Sequence, residues 1–100
     1  MNLKTDEETI TLFEIARDFL VKYFSYELSK AEKQTELFYN MKLYDDDFYH
    51  EVMSYIVAAM IHFFTEIGGS KSEYKKWLIE SGYHNAPEEA KAYFREKYFD

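Results

Sequence analysis

The hydrophobic and polar positions of the chain recur at three- and four-residue intervals, which is the spacing of amphipathic α-helices. In the first part of the chain, polar residues form a single stripe and nearly every other position is apolar. This stripe consists of Thr11, Glu14, Asp18, Lys22, Ser25 and Ser29. The pattern predicts a mostly buried first helix from about Asp6 to about Leu28, with Thr5 and Glu8 as a capping box.

A second helix is predicted from about Lys30 to about Leu43, with Leu37, Phe38 and Met41 on its inner side. Because the apolar stripe does not break phase between the two helices, one long rod is the alternative. A kink near Ser29 is preferred, since a helix of about forty residues is rare in a domain of this size.

A third helix is predicted over about residues 47–67, and its middle is apolar on almost every side. The segment Tyr55–Phe64 is therefore expected to lie at the centre of the fold, with His62 at its boundary. Gly68 and Gly69 end this helix because glycine readily adopts the left-handed conformation of a helix C-terminus.

The last third of the chain predicts two shorter helices. The first carries Tyr74 and Trp77 on one face and ends at Gly82, and the second begins near Asn85 with Pro87 in its first turn. The predicted fold class is therefore all-α. We expect a single domain over residues 1–100, a bundle of four or five helices with the one around 47–67 at its centre.

The composition supports a packed helical domain. Hydrophobic residues make up 47% of the chain and aromatic residues 20%, while only 3 Gly and 1 Pro are available for turns. The absence of Cys excludes disulfides and thiolate chemistry, and it indicates a reducing compartment. The sequence has neither a signal-peptide pattern nor an apolar run of about 20 residues, so we expect a cytoplasmic protein with no membrane partner.

The formal net charge of −7 is unevenly distributed along the chain. Residues 1–67 contain 13 acidic and 6 basic side chains, whereas residues 68–100 contain 6 of each. The acidic helices therefore lie in 1–67, and the helix pair in 70–100 is close to neutral. Because an acidic surface repels phosphates, we expect no direct binding of nucleic acid and favour a protein partner with a basic surface.

Catalytic and metal-binding patterns are weak. Asp47 and His50 have the three-residue spacing of ligands in helical di-iron proteins, but the second pair that such a site needs is missing. His50 and His62 lie 12 positions apart, which turns them about 120° away from each other on one helix. We therefore expect no enzymatic activity, no cofactor and no metal ion.

Acidic clusters that are mixed with tyrosines form the candidate partner-binding site. Its residues are Asp6, Glu7, Glu8, Tyr39, Tyr44, Asp45, Asp46, Asp47, Tyr49 and Glu51. Tyrosine is a frequent interface anchor, and carboxylates match a basic groove. The acids also have a structural explanation, since acidic residues favour helix N-termini.

These observations favour a small, acidic, non-enzymatic binding module that inhibits or regulates a nucleic-acid-handling protein. In the sharpest version its carboxylates imitate phosphates, as phage-encoded inhibitors of host defence such as anti-CRISPR proteins do. One alternative is a homo-oligomeric helical scaffold, for example a homodimer, in which surplus aromatic residues bury against a second copy. Another is an antitoxin- or immunity-type neutraliser.

Overall fold

Six α-helices carry the fold in a computed structural model that describes residues 1–98. They are α1 (Glu7–Phe24), α2 (Leu28–Asn40), α3 (Asp46–Tyr49), α4 (Ser54–Ile61), α5 (Tyr74–Ser81) and α6 (Glu88–Tyr98). A π-helical turn, His62–Ile67, continues directly from α4. No strand occurs among the described residues, so the predicted all-α class is confirmed, with six helices where four or five were expected. Residues 99 and 100 lie outside the described part.

The centre of the fold is α4, as its apolar sequence predicts. Residues 57–61 are 0% exposed. The Ser54 hydroxyl, at the start of α4, donates to the Leu12 carbonyl oxygen of α1 at 3.0 Å and fixes one helix along the other. Burial of a side chain such as Met60 or Ile61 contributes about 1.5–3 kcal/mol. Within residues 1–98, no helix has both the length and the apolarity that crossing a membrane requires.

The first two helices are separate, so the preference for a kink over a rod is confirmed. The break lies at residues 25–27, slightly before the predicted position at Ser29. Ser25 adopts a left-handed conformation with φ 61°, and the Tyr26 N–H donates to the Leu20 carbonyl oxygen at 3.1 Å. This hydrogen bond closes the end of α1 in the manner of a Schellman motif.

The predicted continuous helix over 47–67 is wrong, because the chain leaves helical geometry between Tyr49 and Ser54. Met53 is extended, with ψ 146°. Residues 50–52 contain no helix breaker, so the local pattern gives no sign of this interruption. The break lets α3 pack against α1 separately from α4, which also packs against α1. Tertiary packing therefore overrides helix propensity here.

The C-terminal helices pack on the segments before them. On α5, the Trp77 ring lies 4.8 Å from the Phe63 ring of the π-helical turn, measured between centroids. Helix α6 packs against α1, where the Tyr93 hydroxyl donates to the Asp18 carboxylate at 2.6 Å. Gly82 ends α5 with φ 83°, as predicted.

Candidate interaction face

The first turn of α1 carries the first acidic cluster. Asp6 is the N-cap residue, and its Oδ1 accepts a hydrogen bond from the Thr9 backbone N–H at 2.7 Å. This bond lowers the pKa of Asp6, because it stabilises the charged carboxylate. The prediction of Thr5 as the cap is therefore wrong by one residue. Glu7 and Glu8 follow in the first turn, where both are exposed and complement the helix dipole.

The second acidic cluster lies at the start of α3, and its three carboxylates differ in environment. Asp46 is partly buried and accepts hydrogen bonds from the hydroxyls of Thr5 at 2.5 Å and Tyr39 at 3.0 Å. Asp45 and Asp47 are exposed, and neither side chain has a hydrogen-bond or ion-pair partner within residues 1–98. Asp46 is thus a structural carboxylate, and its two neighbours are free to bind another molecule.

His50 connects the two acidic clusters. Its Nε2 lies 2.9 Å from the Thr9 hydroxyl oxygen and 3.6 Å from the Asp6 carboxylate. Its Nδ1 lies 3.7 Å from the Glu8 carboxylate. The hydrogen bond that Asp46 accepts from the segment before α1 provides a second connection. Clusters that lie far apart in the sequence therefore lie side by side.

These contacts create a single surface, the acidic face. Asp6, Glu8 and Asp46 take part in these contacts, and the name covers all the carboxylates at the two adjoining helix starts, Asp6, Glu7, Glu8, Asp45, Asp46 and Asp47. The predicted Glu51 is exposed just after α3, and no contact within residues 1–98 ties it to α1. Sequence reasoning missed Thr5, Thr9 and His50 as the residues that join the clusters. Their pairings span 41 positions, and periodicity reports only on neighbours within a helix.

The three predicted tyrosines occupy different environments. Tyr39 and Tyr49 are only 2% and 1% exposed, so the expectation that they contact a partner is corrected. Their rings lie 5.4 Å and 4.9 Å from the Phe13 ring in the core. Tyr44 is partly exposed and stacks on Phe48, with ring centroids 4.4 Å apart and planes 15° apart. Of these three tyrosines, Tyr44 is the one positioned to touch another molecule.

A cleft of about 320 Å³ opens beside the acidic face, between the α2–α3 connection and the turn before α5. It is lined by Lys42, Leu43, Tyr44, Asp45, Asp47, Phe48 and Lys71. Lys71 Nζ donates to the Leu43 carbonyl oxygen at 2.9 Å and lies 4.4 Å from the centroid of the Tyr44 ring. Lys42 has a left-handed φ of 52°, and its Nζ lies 3.8 Å from the Tyr39 ring centroid. Both lysines thus rest on aromatic rings, which leaves the two aspartates unpaired.

His62 lies in a separate, mainly aromatic environment at the start of the π-helical turn. Its Nδ1 is 2.8 Å from the Tyr26 hydroxyl, and its ring packs near those of Phe24 and Trp77. Burial lowers the pKa of His62, and the neighbouring Glu66 carboxylate opposes this effect. Its partial exposure agrees with the boundary position that the sequence predicts.

Within residues 1–98, no group of three or more His, Asp and Glu side chains is placed to hold a metal ion. No protein family, curated protein or solved structure matches this chain. The functional proposal therefore rests on the geometry of the acidic face.

Proposed function

We propose that the chain is a small acidic binding module that docks on a basic surface of a nucleic-acid-handling protein and inhibits or regulates it. The observation that carries this proposal is the convergence of two acidic clusters on one face, where the carboxylates of Asp45 and Asp47 are exposed and unpaired. In the proposed complex, carboxylates take the places of nucleic-acid phosphates, and no catalytic group is needed.

The charge of the acidic face supports a cationic partner. Hydrogen bonds between carboxylates and Lys or Arg are short and about twice as strong as neutral ones. A basic channel that neutralises phosphates presents the donors that such carboxylates need. Opposite charge also speeds the encounter of two proteins, and salt screens this attraction. Binding is therefore expected to weaken as salt increases.

The rigidity of the acidic face supports imitation of a phosphate array. Asp46 and His50 on the α3 side are hydrogen-bonded to Thr5 and Thr9 on the α1 side. Because side-chain contacts already fix the two clusters, little additional ordering is needed on binding. A fixed spacing between the two helix starts that carry the carboxylates is suited to a channel that is shaped for a regular backbone.

Reversal of exposed charges tests this proposal. The variant Glu7→Lys/Asp45→Lys/Asp47→Lys changes carboxylates that make no hydrogen bonds within residues 1–98, so the fold is expected to persist. The matched control reverses three exposed carboxylates outside the acidic face, Glu14, Glu27 and Glu96, which likewise have no hydrogen-bond or ion-pair partner within residues 1–98. Both variants change the net charge by the same amount, and circular dichroism checks that both remain helical.

The binding assay uses purified bacterial nucleic-acid-binding enzymes as probes, including guide-RNA-loaded CRISPR nucleases, immobilised for interferometry at about 50 and 200 mM salt. The unmodified protein and the control are expected to bind one of these enzymes and to compete with its DNA. The acidic-face variant is expected to bind at least about tenfold more weakly. Equal binding by all three proteins, or no competition with DNA, would refute the proposal.

Exposed apolar side chains at the C-terminal end of α2 favour a second candidate, the homo-oligomeric scaffold. Leu37 and Met41 lie one helical turn apart and are 49% and 42% exposed, so the prediction that they lie on the inner side of the second helix is wrong, whereas Phe38 is buried as predicted. Self-association would bury them against a second copy. Sedimentation velocity distinguishes the candidates, because a dimer held by apolar contacts persists at about 1 M salt, whereas the acidic module remains a monomer. Leu37→Glu/Met41→Glu should dissociate such a dimer.

A further inference from the structure

We propose that the cleft beside the acidic face is a binding site for one arginine side chain of the partner. This inference rests on the proposed function and specifies how the basic surface is recognised. Tyr44 and Phe48 form the aromatic wall, and Asp45 and Asp47 supply the carboxylates.

The Tyr44 ring already holds a cation from within the molecule. Lys71 Nζ lies 4.4 Å from the ring centroid, inside the range of about 6 Å in which a cation is attracted to an aromatic face. The same ammonium donates to the Leu43 carbonyl oxygen. This contact identifies Tyr44 as a cation acceptor at the edge of the cleft, with Lys71 as its internal occupant.

The chemistry of the cleft favours a guanidinium group. A guanidinium is planar, so it stacks on an aromatic ring while it donates paired hydrogen bonds to a carboxylate at its edge. Asp45 and Asp47 offer two exposed carboxylates without partners within residues 1–98. The volume of about 320 Å³ is large enough to admit one arginine side chain.

Two lysines limit the affinity of this site for a cation. Lys42 is held over Tyr39 and adds positive charge at the cleft. Lys71 competes directly, because an arginine that stacks on Tyr44 must displace it. Removal of Lys71 should therefore strengthen the binding of arginine more than removal of an equally charged lysine elsewhere on the surface does.

The test uses the full chain, the amidated peptide Gly-Arg-Gly and its neutral citrulline analogue, with amide NMR shifts as the measurement. The arginine peptide should shift the amide signals of residues 42–48 and Lys71, and the citrulline peptide should not. Lys71→Ala should bind the arginine peptide about two- to five-fold more tightly, since a competing cation–π contact is lost. Lys75→Ala removes one exposed charge from α5, away from the cleft lining, and should change the affinity by less than about two-fold.

Three results would overturn the arginine site. Equal tightening by Lys71→Ala and Lys75→Ala would show a general charge effect. Shifts of residues 42–48 with inorganic phosphate instead of the arginine peptide would identify an anion site. Methionine keeps a long side chain without the charge. If Lys71→Met does not bind the arginine peptide more tightly, the tighter binding of Lys71→Ala comes from loosening of the loop at Leu43 and not from loss of the competing cation.

The arginine site and the proposed function fail in distinguishable ways. If Glu7→Lys/Asp45→Lys/Asp47→Lys loses the basic enzyme while the Lys71 variants behave as Lys75→Ala does, the acidic face binds and the arginine site is wrong. If the arginine peptide binds in the cleft but no basic enzyme binds, the proposed function is wrong.

Discussion

Asp46 is the carboxylate on which the geometry of the acidic face depends. It accepts hydrogen bonds from the hydroxyls of Thr5 at 2.5 Å and Tyr39 at 3.0 Å. Asp46→Ala removes both interactions. The Tyr39 hydroxyl, on a side chain that is only 2% exposed, then retains only a 3.5 Å contact with the Lys4 carbonyl oxygen.

The expected loss in the free energy of unfolding follows from these contacts. A hydrogen bond to a charged group contributes about 1.5–3 kcal/mol, and an unsatisfied buried hydroxyl costs about 1–3 kcal/mol. Water can replace Asp46 at Thr5, which is partly exposed, but much less easily at Tyr39. We therefore expect Asp46→Ala to lose about 2–4 kcal/mol.

The adjacent aspartates provide matched controls for this measurement. Asp45→Ala and Asp47→Ala remove the same charge from the same turn, but these side chains have no hydrogen-bond partner within residues 1–98. Each is expected to change stability by about 0.5 kcal/mol or less. Urea unfolding, followed by far-ultraviolet circular dichroism at about pH 7, gives the three values if the m-values agree. Equal losses in all three variants would refute the structural role of Asp46.

Three further predictions concern a buried hydroxyl, a glycine that contacts an aromatic ring, and a half-buried histidine. Tyr74→Phe removes a buried hydroxyl without a hydrogen-bond partner within residues 1–98 and should raise the free energy of unfolding by about 1 kcal/mol, whereas a loss in urea unfolding would contradict this. Gly69→Ala should lose about 1–3 kcal/mol, because a Cβ there would overlap the Phe63 ring. When Phe63→Leu is added to Gly69→Ala, part of that loss should be recovered, because the smaller side chain makes room for the Cβ. When it is added to Gly68→Ala, nothing should be recovered, because the cost there comes from the φ of 78° in open space. Burial lowers the folded-state pKa of His62 below 6.5, so the unfolded state takes up the proton first and stability falls as pH drops below about 6.5. His62→Gln should flatten this decline in thermal unfolding across about pH 7 to 5, and an unchanged decline would assign it to other groups.

Local sequence patterns predicted the helices better than their arrangement. The end of α5 at Gly82 and the burial of residues 57–61 depend on single residues or on short-range spacing, so both could be predicted. The break at Met53 could not, because it follows from packing of α3 against α1 rather than from a breaker residue. Helix propensity is a weak preference that such packing overrides.

The buried tyrosines show why composition does not distinguish core tyrosines from exposed ones. A tyrosine beside aspartates suggests an interface anchor, but a core position is equally compatible with its apolar ring once the hydroxyl has a partner. The Tyr39 hydroxyl has that partner in Asp46, across the connection between α2 and α3. No periodic pattern predicts a hydrogen bond across a loop, so the buried tyrosines and the partly exposed Tyr44 looked alike in sequence.

The unequal roles of the three aspartates also determine how the acidic face can be tested. Reversal of Asp45, Asp46 and Asp47 together would remove a structural carboxylate along with two exposed ones, so lost binding would not distinguish a damaged fold from a lost contact. The single variants separate these effects. If both acidic clusters must face the partner together, Asp46→Ala should weaken binding more than Asp45→Ala at a temperature where both remain folded, although each loses one charge. If both weaken binding equally, the partner responds to total charge, and the alignment of α1 with α3 is not needed for recognition.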